Sequence, residues 1–109
     1  MKVLFDQGTP APSRKALVGH SVTTAFERGW SQLQNGDLIT AAEISGFDLF
    51  VTTDRNLKYQ QNLAVRRIAL VVLLSTSWPR IQRVLPQVTQ AVDAATPGSY
   101  VEIEVPGFV

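Results

Sequence analysis

The chain has no cysteine and only one histidine in 109 residues. Without cysteine, disulfides and thiolate chemistry are excluded, which fits a reducing compartment. Charge is sparse as well. Charged residues make up 17% of the chain and the net charge is +1, so composition alone does not point to nucleic acid. Long apolar runs are missing too. The longest, Ile68 to Leu74, falls far short of the ~20 residues of a membrane span. The Met1-to-Phe5 segment is too short for the apolar core of a signal peptide. A soluble, cytoplasmic protein without a membrane partner is expected. There is no internal repeat, linker or low-complexity tract. What remains is a chain that is 45% hydrophobic, with a length suited to a single domain over residues 1–109.

The most informative stretch runs from Asn35 to Leu57, NGDLITAAEISGFDLFVTTDRNL. Leu38, Ile39, Ala42 and Ile44 supply apolar positions for a helix starting near Asp37, and Gly46 ends it. Leu49-Phe50-Val51 is a continuous apolar run, as expected of a strand buried on both faces. Thr52-Thr53-Asp54 carries that strand to its carboxyl end.

Other elements fall around this stretch. Lys2 to Phe5 reads as a first strand and His20 to Thr24 as a second. A short helix opens at Pro10 or Pro12 and stops at Gly19. Residues 55–63 are polar and suit another short helix. Arg67 to Leu74 reads as the second buried strand. Ser77 and Pro79 mark the start of a last helix, which Pro86 should kink or split. Tyr100 to Val105 alternates apolar residues with Glu102 and Glu104, as an edge strand would. The order β-α-β-α-β-α-β-α-β predicts an α/β fold, a three-layer, doubly wound, mainly parallel five-stranded sheet with right-handed crossovers.

Ligands of such sheets bind outside the carboxyl ends of the strands. That rule sorts the nine acids of the chain. Asp6 follows the first strand and Asp54 the third. Asp37 opens the helix after the second strand, and Glu27 lies in the loop before it. Asp48 falls at the opposite edge, and Glu43 lies deeper in its helix on another face. Three aspartates, with Glu27 as a candidate fourth acid, therefore converge on one edge. Gathered carboxylates raise one another's pKa or need a cation. Hard divalent ions take such oxygens, and the matching chemistry is metal-assisted phosphodiester hydrolysis. Local readings stand beside this one: Asp37 as a helix cap, Asp54 as a turn or cap residue, and Asp6 in an Asx-turn.

The segments VLFDQG, GDLITAAEISGF and LFVTTDRNL resemble the PIN-domain fold, the nuclease domain of many bacterial toxins. The likeness is nearer to a compact PIN-like branch of small bacterial proteins and runs over nearly the whole chain. It implies that Asp6, Asp37 and Asp54 are catalytic and hold Mg²⁺ or Mn²⁺, with Asn56 a nearby polar position. It also implies single-stranded RNA as substrate and an antitoxin protein as partner. The larger family draws a further acid from a helical insertion before the Asp37 helix. Here that region is short and offers only Glu27.

A nuclease needs cations for phosphates. Arg28, Arg55 and Lys58 lie near the expected site and are the candidate substrate-binding residues. Trp30 and Tyr59 are candidates for stacking on bases. Ser75, Thr76 and Ser77 reach the same edge, where Thr76 can serve phosphate or water. His20 starts its strand at the far edge, as do Arg66 and Arg67. Trp30, Trp78 and Phe108 exceed what so small a core needs, which suggests a homodimer or antitoxin interface. The leading expectation is thus a metal-dependent ribonuclease, the toxin of a toxin–antitoxin pair. The alternative is a catalytically inactive PIN-like binding or regulatory module. A phospho-accepting receiver domain ranks below both. It would use Asp54 and Thr76, but it needs an acidic pair after the first strand and a lysine after the last.

Overall fold

The computed structural model describes residues 1–60 and 62–107, and the side chains of all of these except Asn35, Tyr59 and Gln60. Strands β1 (Lys2–Phe5), β2 (Ser21–Thr24), β3 (Leu49–Thr52), β4 (Ala69–Leu73) and β5 (Tyr100–Ile103) form one sheet. Its order is β2-β1-β3-β4-β5. Every pairing is parallel, including the terminal β5. The helices are α1 (Asn35–Ile44), α2 (Leu57–Gln60), α3 (Trp78–Gln82) and α4 (Leu85–Ala94). Short 3₁₀ helices occupy Ala11–Ala16 and Leu63–Val65.

The central strands are apolar at every position but Lys2 of β1 and Thr52 of β3, because both faces of the sheet are covered. Alternate side chains serve different cores. Val3, Phe5, Leu49, Val51, Val71 and Leu73 pack with Leu17 and with Ile81, Val84, Val88 and Val92 of the last helices. Leu4, Phe50 and Leu70 point the other way, against Leu38, Ile39 and Ala42 of α1 and Leu57 of α2. The result is three layers, helix on sheet on helix.

Local details bear out the sequence expectation except at Ile44. Helix α1 begins at Asn35, and Asp37 is the acid of its first turn. Gly46 follows the helix with φ 81°, a left-handed conformation that suits glycine. Ile44 is 81% exposed, because it stands six positions after Leu38 and so falls off the buried stripe. Pro86 splits the last helix: α3 ends at Gln82, and α4 restarts with Pro86 in its first turn.

The crossovers also depart from expectation. The connections from β3 to β4 and from β4 to β5 advance in the same direction across the sheet. The first runs over the α1 face, with Leu57 and Leu63, while the second runs over the opposite face. Two such connections on opposite faces are of opposite hand, so the rule of right-handed crossovers fails for one of them. Coverage gives the reason. The α1 face is already filled by α1, α2 and the second 3₁₀ helix. The other face would otherwise have only the 3₁₀ helix at Ala11–Ala16 over it.

Ser13, in that 3₁₀ helix, is 1% exposed, and its hydroxyl has no hydrogen-bond partner among the described residues. A buried hydroxyl without a partner costs about 1–3 kcal/mol. Ser13→Ala should therefore stabilise the fold by about 1 kcal/mol, read as a higher urea midpoint at unchanged slope.

Glu43 ties the end of α1 to the start of β4. Its carboxylate accepts from the Arg66 guanidinium at 2.8 Å and from the Arg67 backbone N–H at 2.9 Å. Burial pushes its pKa upward, but these bonds, the Ile68 N–H and the Arg66 charge outweigh burial and hold it below the ordinary value. A carboxylate held low in the folded state stabilises the fold at neutral pH, and that contribution is lost as pH falls through the folded pKa. Glu43→Gln should thus be less stable than wild type at pH 7, with the gap narrowing as pH drops below the ordinary glutamate range. Urea titrations at several pH values measure this.

Candidate functional site

In the order β2-β1-β3-β4-β5 the chain leaves β1 and β3 toward opposite faces, which opens a crevice between their carboxyl ends. Asp6 ends β1 inside that crevice and is only 7% exposed. Three bonds lock its carboxylate. Oδ1 accepts from the Thr9 N–H at 2.9 Å and the Thr9 hydroxyl at 2.6 Å. Oδ2 accepts from the Thr52 hydroxyl at 2.5 Å. That hydroxyl also accepts the Asp54 N–H at 3.0 Å, so one side chain links the two acids of adjacent strands.

Asp54 is partly exposed at the end of β3. Its Oδ1 accepts the Asn56 N–H at 3.0 Å, and its carbonyl accepts the Leu57 N–H at 3.3 Å, which starts α2. The turn and cap readings of Asp54 and the Asx-turn of Asp6 are thus present in the fold. They hold the carboxylates in place. A carboxylate has about four acceptor positions, and the bonds from Thr9 and Thr52 use three of those of Asp6.

The loop before α1 is drawn to the same edge. The Gln7 amide donates to the Ser31 carbonyl at 3.0 Å and the Leu33 carbonyl at 3.2 Å. Asp37 follows in the first turn of α1, exposed to solvent, with no side-chain hydrogen bond to Asp6 or Asp54. Among the described residues no three acids or histidines form a group that could hold a metal ion.

Glu27 turns elsewhere. It accepts the Thr24 N–H at 2.9 Å, while its own N–H donates to the Thr24 hydroxyl, a reciprocal cap of the turn after β2. It also pairs with Arg14 at 3.1 Å. The Thr24 N–H first, and then the Arg14 bond, hold its carboxyl below the usual range.

The basic candidates divide. Arg28 lies over the Trp30 ring at 4.5 Å and donates to the Ser45 hydroxyl, so it reaches toward the opposite edge. Lys58 pairs with Glu102 at 3.0 Å, and that contact, with the Tyr100 hydroxyl, lowers the Glu102 pKa. Arg55 stays at the carboxyl edge, where it donates to the Leu74 carbonyl at 2.8 Å. Thr76 is exposed at the same edge. Trp30 and Trp78 are partly buried against the two cores. Phe108 lies outside the described residues, as does the side chain of Tyr59. His20 bonds Asp93 at 2.7 Å, away from the acids.

No protein-family model, curated protein or solved structure matches this chain. The site therefore rests on its own geometry.

The residue types flagged in the sequence omit the ones that organise Asp6. Thr52 falls within the pattern of the third strand, and Gln7 and Thr9 lie in the loop between the first strand and Pro10. The sequence does contain a signal for Thr52. A β-branched hydroxyl two residues before an acid, at a strand end, can bond the backbone of that acid.

Donor chemistry decides whether the site suits a divalent ion. Mg²⁺ usually takes one or two carboxylates, several waters and substrate phosphates rather than a complete protein cage. Asp6 and Asp54 fit that partial set.

Proposed function

We propose that the chain is a metal-dependent ribonuclease acting on single-stranded RNA at the carboxyl edge of β1 and β3. One observation carries this reading. The Thr52 hydroxyl joins the Asp6 carboxylate to the Asp54 backbone, so the two acids are tied to adjacent strand ends at the crevice where such sheets bind ligands. Asp6 and Asp54 would hold Mg²⁺ or Mn²⁺, and Asp37 would act on its waters from the first turn of α1. A bound ion would lower the pKa of a water and steady charge on the phosphoryl oxygens. The chain's own residues orient the acids: Thr9 and Thr52 fix Asp6, and Gln7 holds the neighbouring loop closed over the edge. On this reading the protein works in the cytoplasm as a toxin. An antitoxin or second copy would be its protein partner, and exposed Phe26 and Ile44 offer apolar contact surface.

A second reading has an observation of its own. No group of three acids that could hold a metal forms among the described residues, as in a PIN-like module that binds without cleaving. Incubating single-stranded RNA with the protein, in Mn²⁺ or in chelator, separates the two. Metal-dependent cleavage supports the nuclease. Retention of intact RNA under every metal condition supports the module.

A further inference from the structure

A second crevice opens beside the first. The chain leaves β3 toward the α1 face and β4 toward the opposite face, as the unusual crossover requires. Their carboxyl ends therefore part, and a cleft of about 450 Å³ lies there. Thr53, Arg55, Ser75, Thr76 and Arg80 bring its polar groups, and among the described residues no carboxylate lines it. Two guanidinium groups and three hydroxyls make a lining for an anion, and Glu102, the acid that feels the Arg55 charge, is paired with Lys58 outside the lining.

The two arginines differ in how far they are already engaged. Arg55 gives one bond to the Leu74 carbonyl at 2.8 Å. That contact anchors the side chain across the cleft and leaves the other face of its five-donor fork for a ligand. The Arg80 guanidinium makes no hydrogen bond or ion pair among the described residues, although it stands in the cleft wall. A guanidinium fork matches the oxygens of phosphate bidentately.

The cleft also adjoins the Asp6 loop. Thr53 lines it, and the Thr53 hydroxyl lies so near Gly8 that a Cβ there would stand 2.5 Å from it. Thr53 is thus shared by the cleft and the loop that carries Asp6.

We propose that this cleft is a phosphate-binding subsite. Arg55 and Arg80 grip the oxygens of a backbone phosphate of the RNA strand while the neighbouring phosphodiester lies at Asp6 and Asp54. The identity of the strand as RNA rests on the function proposed above. The phosphate chemistry of the cleft does not.

The test works without metal and without cleavage. A fluorescent single-stranded oligouridylate is titrated in chelator at several salt concentrations, followed by anisotropy, with inorganic phosphate as competitor. Arg55→Gln and Arg80→Gln should each weaken binding by roughly tenfold, and each should reduce the magnitude of the log-log salt slope by about 0.7. Arg67→Gln, exposed at the opposite edge, should bind as wild type does. Arg80 has no partner to lose, so its variant should melt as wild type does.

Equal affinity and equal salt slope for the two cleft variants and wild type would overturn the proposal, even if wild type cleaves RNA with metal. Loss of affinity in both variants, with no metal-dependent cleavage by wild type, would uphold the cleft and remove the nuclease. Arg80-dependent binding of inorganic phosphate without oligouridylate would overturn the RNA strand as ligand.

Discussion

Asp6→Ala should lower stability by about 3 kcal/mol, which is roughly 10–20 °C in Tm for a domain of this size. The carboxylate is buried and accepts three bonds. Two of the donors have other outlets. The Thr9 hydroxyl is 3.1 Å from the Val51 carbonyl, and the Thr9 N–H is 3.3 Å from the Asp6 carbonyl. The Thr52 hydroxyl would be left beside a void, with its own oxygen still accepting from Asp54. An orphaned buried donor costs about 1–3 kcal/mol, and loss of the charge-assisted bonds from Thr9 supplies the rest. Asp6→Asn should cost less, about 1 kcal/mol. Its oxygen can still serve Thr9, and its NH₂ can donate to the second lone pair of the Thr52 hydroxyl. Urea unfolding of the three proteins checks the order. Equal stability of the alanine variant and wild type would mean that the clamp does not support the fold.

Asp54→Asn should reduce metal-dependent RNA cleavage by roughly a hundredfold or more while leaving the apo fold unchanged. An interaction worth about 3 kcal/mol in the transition state corresponds to that factor. The fold is spared because the bond that Asp54 Oδ1 accepts from the Asn56 N–H needs only a side-chain oxygen, which asparagine keeps. A ligand that binds only the native state stabilises it, by about 2.7 kcal/mol at a hundred times its Kd. Wild type should therefore melt higher on adding Mn²⁺, and Asp54→Asn should gain much less. Equal metal shifts would show that Asp54 is no ligand. No shift in wild type would favour the non-catalytic module.

The acids illustrate what the sequence could and could not reveal. Asp6 and Asp54 each follow an apolar run, so their place at strand ends was readable from local pattern. Asp37 was readable as a first-turn acid, which the structure bears out, while a shared group of three acids was not readable either way. Whether three acids meet depends on where α1 sits over the sheet, and residues 25–34 set this through contacts such as that of Gln7 with the Leu33 carbonyl. Glu27 was a candidate because of its position in the chain. Its commitment to Thr24 and Arg14 follows from two bonds that only the folded turn creates. Arg28 was drawn away from the site by Trp30 and Phe47, whose rings meet edge to face at 6.2 Å on the far side.

By itself the sequence determined the parallel α/β class, the buried strands and the placing of Asp6 and Asp54 at one edge. Each follows from local physics: apolar runs demand cover on both faces, glycine and proline end helices, and strand ends point where the chain turns. Tertiary structure alone decided the strand order, the opposite hand of the last two crossovers and the Thr52 clamp, which joins residues 46 positions apart. Strand order is a matter of long-range pairing, for which local periodicity carries no signal. The hand of a crossover depends on which face of the sheet still lacks cover. Here that face was the one left to α3 and α4, and the choice parted β3 from β4 and opened the cationic cleft beside the acids.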